Sequence, residues 1–191
     1  MALVAPGTGA IFAVMSEALA YRPATAFRMT TGSEATTAVL AGTIAKLARI
    51  GDVIALSGGI GAGKTVFARG FVRALSQADE EVPSPTFTLV QAYDCARGPV
   101  HHYDFYRIDS AKDAYETGIE ESFAEAITVI EWPDRIAVLR SEHWLDIEFS
   151  MDARNPETRE LVLHAGPAWR DRLTDPALLR SGLAPAPASD D

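Results

Sequence analysis

The sequence predicts an α/β fold: a mostly parallel central sheet in a three-layer arrangement with helices, carrying an antiparallel hairpin at one edge. Three observations predict it. Val53-Ile54-Ala55-Leu56 and the run Ile127 to Ile130 are short and nearly all apolar, the pattern of parallel strands buried on both faces. A glycine-rich turn joins the first of these runs to a helical pattern. Leu145, Ile147 and Phe149 alternate with Asp146 and Glu148, and after turn residues 152–157 the run Leu161 to Leu163 completes a hairpin expected at the sheet edge.

The elements follow in order. Residues 1–27 mix small and apolar side chains without a sustained period and are expected to form a loosely ordered extension. Ser33 is placed to cap a helix, Glu34 suits its first turn, and Leu40, Ile44 and Leu47 share one face. Gly51 is expected to end that helix in the left-handed conformation. After the strand at Val53, a second helix is expected from Val66 to Leu75, with Phe67, Phe71 and Leu75 spaced four apart. Pro83-Ser84-Pro85 leads into a strand from Thr88 to Tyr93, and a turn at Arg97-Gly98-Pro99 into another from Val100 to Tyr103. A helical stretch near Ser110 to Glu116 precedes the strand at Ile127. Residues 28–165 thus form one domain, and residues 166–191 a C-terminal helix and a Pro/Ala-rich disordered tail.

The bulk numbers suit an ordinary globular enzyme: 191 residues, 48% hydrophobic and 23% charged. No run is long enough to cross a bilayer. The apolar stretch Met1 to Ala20 has no basic residue ahead of it and carries Glu17, which argues against a secretory signal. Cys95 is the only cysteine, so a cytoplasmic location is expected. The formal charge of −9 opposes direct binding to a nucleic-acid backbone.

Gly58-Gly59-Ile60-Gly61-Ala62-Gly63-Lys64-Thr65 has the Walker A spacing, with an apolar strand before it and a helix after it. Its glycines let successive backbone N–H groups turn inward as an anion nest, and the helix N-terminus points at the same phosphates. Lys64 is placed to reach the β- and γ-phosphates, and the Thr65 hydroxyl to join the Mg²⁺ shell. The sequence therefore predicts ATP and Mg²⁺ as ligands and a P-loop NTPase-like fold. Such a loop needs an acid at the end of a neighbouring strand, and two qualify, Glu131 and Asp104. His101-His102-x-Asp104 does not make a zinc set, because adjacent strand residues point to opposite faces; one histidine is expected to be structural and the other a partner in the cleft. In Ser84-Pro85-Thr86-Phe87-Thr88, Thr86 suits a switch-like residue near the γ-phosphate.

These segments together resemble the TsaE family, small bacterial P-loop ATPases of tRNA threonylcarbamoyladenosine synthesis. The resemblance runs from about Ser33 to Arg135. It includes Ser33-Glu34, Gly61-Ala62-Gly63-Lys64-Thr65, Arg69-Gly70-Phe71, Ser84-Pro85-Thr86-Phe87-Thr88, His102-x-Asp104-x-Tyr106-Arg107, Gly118-Ile119 and Glu131-Trp132-Pro133. It implies slow ATP hydrolysis in a complex with two partners, TsaB and TsaD, which modify tRNAs reading codons that begin with A; tRNA is then reached only through those partners. On this resemblance Thr65 and Glu131 hold Mg²⁺ and Asp104, with Lys64 and Thr86, supports hydrolysis. Residues Gly61 to Val66, Trp132 and Glu34 bind the nucleotide. Gly59 stands where the family often has Asp, and Val66 where a second Thr is common. The competing reading is a small P-loop kinase of a nucleoside or metabolite, which would need catalytic arginines; only Arg107 stands in a plausible position. Arg69 and Arg73, four residues apart on the second helix, form a basic patch expected to meet a partner.

Overall fold

The computed structural model describes residues 25–77 and 79–186; the first 24 residues of the expected extension and the last five of the expected tail lie outside them. Described strands form a single eight-stranded sheet in the order β3-β4-β5-β2-β6-β7-β1-β8. Its centre is parallel: β4 (Val100–Asp104), β5 (Ile127–Glu131), β2 (Val53–Gly58) and β6 (Trp144–Asp152). The flanks are antiparallel, with β3 (Val90–Tyr93) on one side and β7 (Asn155–Ala165), β1 (Thr25–Thr31) and β8 (Ala184–Pro185) on the other.

Alternation along the central strands divides the core. Ile54 and Leu56 of β2 face one side, where α1 (Glu34–Ala45) and α2 (Lys64–Leu75) pack through Leu40, Ile44, Phe67 and Phe71. Val53 and Ala55 face the other, against α3 (Ala111–Tyr115), α4 (Ile119–Glu125) and the 3₁₀ segment Pro133–Leu139. Two helical layers therefore enclose the sheet, as expected.

Details depart from expectation for identifiable reasons. Ser33 does cap α1, in a capping box with Thr36, but the helix stops at Lys46. Gly51 (φ +93°) instead turns the chain into β2 and donates its N–H to Ala126 O at 2.9 Å. The strand expected from Thr88 begins at Val90, because Leu89 takes a left-handed conformation (φ 65°) and donates to Pro85 O at 2.7 Å, closing a turn. Ser110 caps a short helix as its N-cap. The β6–β7 hairpin forms, yet β1 and β8 extend the sheet beyond it; the outer hairpin on the opposite flank is β3–β4. Strand β1 and helix α4 were not expected at all.

Beyond β7 the chain turns through α5 (Pro167–Arg170), a 3₁₀ turn at Arg172–Thr174 and α6 (Pro176–Arg180) before reaching β8. Trp169, Leu173, Leu178 and Leu183 are buried in the core beside α1 and α2. Arg172 fixes this segment with two bonds to Asp52, at 2.5 and 2.9 Å.

Candidate functional site

The parallel strands β2, β4 and β5 all end on the same side of the sheet, where open α/β sheets place their ligands. Strand β2 ends at Gly58, whose φ of +128° and close approach to β6 exclude a side chain: a Cβ would lie 2.3 Å from Phe149 O. The loop then closes with Ala62 N–H donating to Gly59 O at 3.2 Å, and Gly63, in the left-handed region (φ +110°), is the N-cap of α2. No side chain caps this helix, so its first N–H groups are left facing the loop, an arrangement suited to an anion.

A cleft of about 430 Å³ opens over the loop. Lys64 lies at its floor, 4% exposed, with Nζ donating to Gly58 O and Gly59 O, both at 2.8 Å. The same ammonium sits 3.8 Å from the centroid of the Trp132 ring. Burial pulls Lys64 below the ordinary lysine range, against the opposing attraction of Glu131 and Asp104. A desolvated cation of this kind gains from any anion that enters.

The two acids end neighbouring strands and are register partners, Asp104 on β4 opposite Glu131 on β5. Glu131 Oε2 accepts from Thr65 Oγ1 at 2.9 Å. Asp104 accepts from Ser84 Oγ at 2.6 Å, Thr86 Oγ1 at 2.7 Å and the Tyr106 N–H at 3.0 Å. Thr86 is thus tied to the acid at the end of β4. Thr65, Glu131 and Asp104 offer oxygen alone, which matches a hard divalent cation such as Mg²⁺ better than zinc. The histidines point to opposite sheet faces as expected, but neither lines the cleft: His102, fully buried, meets Glu131 from behind, whereas His101 meets Ser122 of α4 on the other face.

Trp132 follows Glu131 in a left-handed conformation (φ 60°, ψ 55°), a costly state for a bulky residue and one that turns its ring over Lys64. Tyr106 packs against that ring with centroids 5.2 Å apart. Glu34, Gly61, Ala62, Gly63, Lys64, Thr65, Val66, Thr86, Asp104, Glu131 and Trp132 all line the one cleft, so every site residue expected from sequence comes together.

Other residues were not expected there. Glu157 and Arg159 of β7 also line the cleft, and Arg159 donates to Gly61 O at 3.4 Å. Their only sequence signal is strand phase: they alternate in step with the buried Leu161 and Leu163. The arginine at the glycine-rich loop is therefore Arg159. Arg107 instead stacks on the exposed Phe87 ring, 4.3 Å from its centroid. Arg69 and Arg73 are not a free patch either, since their Nε atoms donate to Val82 O at 3.4 Å and Glu80 O at 2.8 Å, tying down the loop that leads to Thr86.

Comparison with known proteins identifies a family and a fold. The family model "Threonylcarbamoyl adenosine biosynthesis protein TsaE" matches residues 31–161. A tRNA threonylcarbamoyladenosine biosynthesis protein TsaE of Rickettsia conorii is 34% identical over 118 residues, covering 62% of this chain and 67% of that one. The protein of the same name from Bacillus subtilis is 36% identical over 97 residues, 50% of this chain and 60% of that one. Among solved structures, the crystal structure of Bacillus subtilis YdiB superposes with a TM-score of 0.65 at 27% identity, covering 81% of this chain and 95% of that one.

Proposed function

This chain belongs to the TsaE family, and on that footing we propose that it is a Mg²⁺-dependent ATP-binding and ATP-hydrolysing subunit required for threonylcarbamoyladenosine modification of tRNA. The observation that carries the reading is the convergence of Lys64, Thr65, Glu131 and Asp104 on the phosphate loop, with Thr65 Oγ1 already 2.9 Å from Glu131 Oε2. Lys64 and the N–H groups opening α2 bind the phosphates. Thr65 and Glu131 are the residues that would hold Mg²⁺, with Asp104 beside them. A bound Mg²⁺ supplies charge neutralisation on the phosphate oxygens. Asp104, fixed by Ser84, Thr86 and the Tyr106 N–H, supports hydrolysis. Trp132 shields Lys64 from water, Arg159 stands at the loop beside Gly61, and Glu34 borders the nucleoside side of the cleft.

With a formal charge of −9 the chain is poorly suited to hold tRNA itself. It acts in the cytoplasm with TsaB and TsaD homologues, which carry the tRNA, and its turnover depends on them. The test is phosphate release by the purified chain, with Mg²⁺ or with EDTA, alone and with the TsaB–TsaD pair. Slow Mg²⁺-dependent release that rises with the pair is expected. A phosphorylated small-molecule acceptor in place of free phosphate would make the chain a kinase.

A further inference from the structure

His102 stands two residues before Asp104 on β4, hence on the same sheet face as the two acids. Its ring is fully buried, with Nε2 3.0 Å from Glu131 Oε1 and with Nδ1 buried and unpartnered. A carboxylate only accepts, so the proton of this contact belongs to Nε2, and Nδ1 is left buried without a partner. Glu131 is thereby held from two sides, through Oε1 by β4 and through Oε2 by the Thr65 hydroxyl of α2.

The surroundings do not otherwise call for a histidine. The register partner of His102 on β5 is Val129, and Val100, two residues back on β4, shares the same buried core. A Val or Leu would fill the position without burying an unpaired nitrogen, which carries a desolvation cost. What an aliphatic residue cannot do is donate to Glu131.

We infer that His102 is a positioning residue for Glu131, fixing Oε1 so that Oε2 stays turned toward Thr65 at the cleft floor. The inference rests on the proposed Mg²⁺–ATP reading. Donors of this kind behind a carboxylate ligand typically change metal affinity about 10–100-fold.

The test uses the full chain with a non-hydrolysable ATP analogue. Analogue affinity is titrated with Mg²⁺ and with EDTA, and Mn²⁺ binding to the analogue-loaded protein is followed by electron paramagnetic resonance. His102→Leu keeps the bulk without the donor. It should weaken Mn²⁺ binding about 10–100-fold and leave analogue affinity in EDTA unchanged. His102→Gln, whose amide N–H₂ reaches the same oxygen, should restore most of the loss. A purely structural role would lower the thermal midpoint of His102→Leu without separating the two titrations, and that result overturns the inference. So does a His102→Gln protein no better than His102→Leu. Absence of any Mg²⁺ effect in the unmodified chain would instead sink the reading of the site, and this inference with it.

Discussion

Lys64 is bound to its own loop and yet placed at the cleft where the proposed nucleotide would meet it. Its ammonium, donating to two loop carbonyls and lying against Trp132, is the cleft-lining cation on the helix that opens at the loop. Lys64→Ala should weaken ATP binding by about 1.5–3 kcal/mol, the worth of a charge-assisted hydrogen bond. That is roughly one to two decades in Kd by titration calorimetry. Unchanged affinity would remove the phosphate site from the loop. Glu131→Gln should behave differently. The amide keeps the shape and loses the charge that a hard cation needs, so nucleotide affinity should fall in Mg²⁺ and hold in EDTA. Equal losses in both would move the metal role to Asp104, whose carboxylate is engaged by Ser84 and Thr86.

At the scale of elements, contact between α1 and α2 hangs on Gly70. A Cβ there would lie 2.7 Å from Ala38 Cα and 2.9 Å from Ala38 O, backbone atoms of the opposing helix that cannot swing away. Overpacking of this kind costs about 1–3 kcal/mol, against only about 0.5–1 kcal/mol gained from replacing glycine within a helix. Gly70→Ala should therefore lower the thermal midpoint; a raised midpoint would show that the helices separate freely. On the other sheet face, α4 meets β4 through Ser122, which contacts His101 Nδ1 at 2.7 Å and the Tyr103 hydroxyl at 2.6 Å. Burial lowers the His101 pKa, against the attraction of Glu125. As pH falls below about 6.5, the unfolded chain takes up the proton first, so the folded state loses stability down to the folded pKa. His101→Asn, which can keep the Ser122 bond, should flatten the urea midpoint against pH below that point. An unaltered slope would assign the acid sensitivity elsewhere. Element legibility follows from pattern length. The capped helix at Ser33 and the apolar runs of β2 and β5 give long, consistent signals. Strand β1 offers only Phe27, Met29 and Thr31 in alternation, and α4 spans just seven residues behind a left-handed Gly118, too little for a period to show.

For the whole molecule, what was legible is whatever a local motif fixes. Lys64, Thr65, Glu131 and Asp104 could be placed in one cleft because a glycine-rich loop of Walker A spacing and two strand ends imply their neighbourhood. Arg159 could not, since it enters from β7 and meets Gly61 only once the sheet order is set. The same holds for the C-terminal segment, whose composition reads as a helix and a tail but whose anchor is Asp52, far back along the chain. Asp52 is 2% exposed and accepts both Arg172 bonds as well as the Arg49 N–H at 2.7 Å. Arg172 also donates to Leu47 O at 3.0 Å and stacks 4.0 Å from the Trp169 ring, so a single guanidinium joins the end of the chain to the turn between α1 and β2. Removing one member of a buried pair strands the other, at about 3–5 kcal/mol. Arg172→Met, which keeps an aliphatic side chain but removes the guanidinium and its bonds to Asp52, should lower unfolding stability by that amount in urea. Adding Asp52→Asn should recover part of it, because the buried charge is then gone while a carbonyl remains for the Arg49 N–H. Nucleotide affinity of the folded protein should not move, since neither residue lines the cleft. An Arg172→Met protein as stable as the unmodified chain would mean that the apolar contacts of Trp169, Leu173, Leu178 and Leu183 hold the C-terminal segment without this anchor.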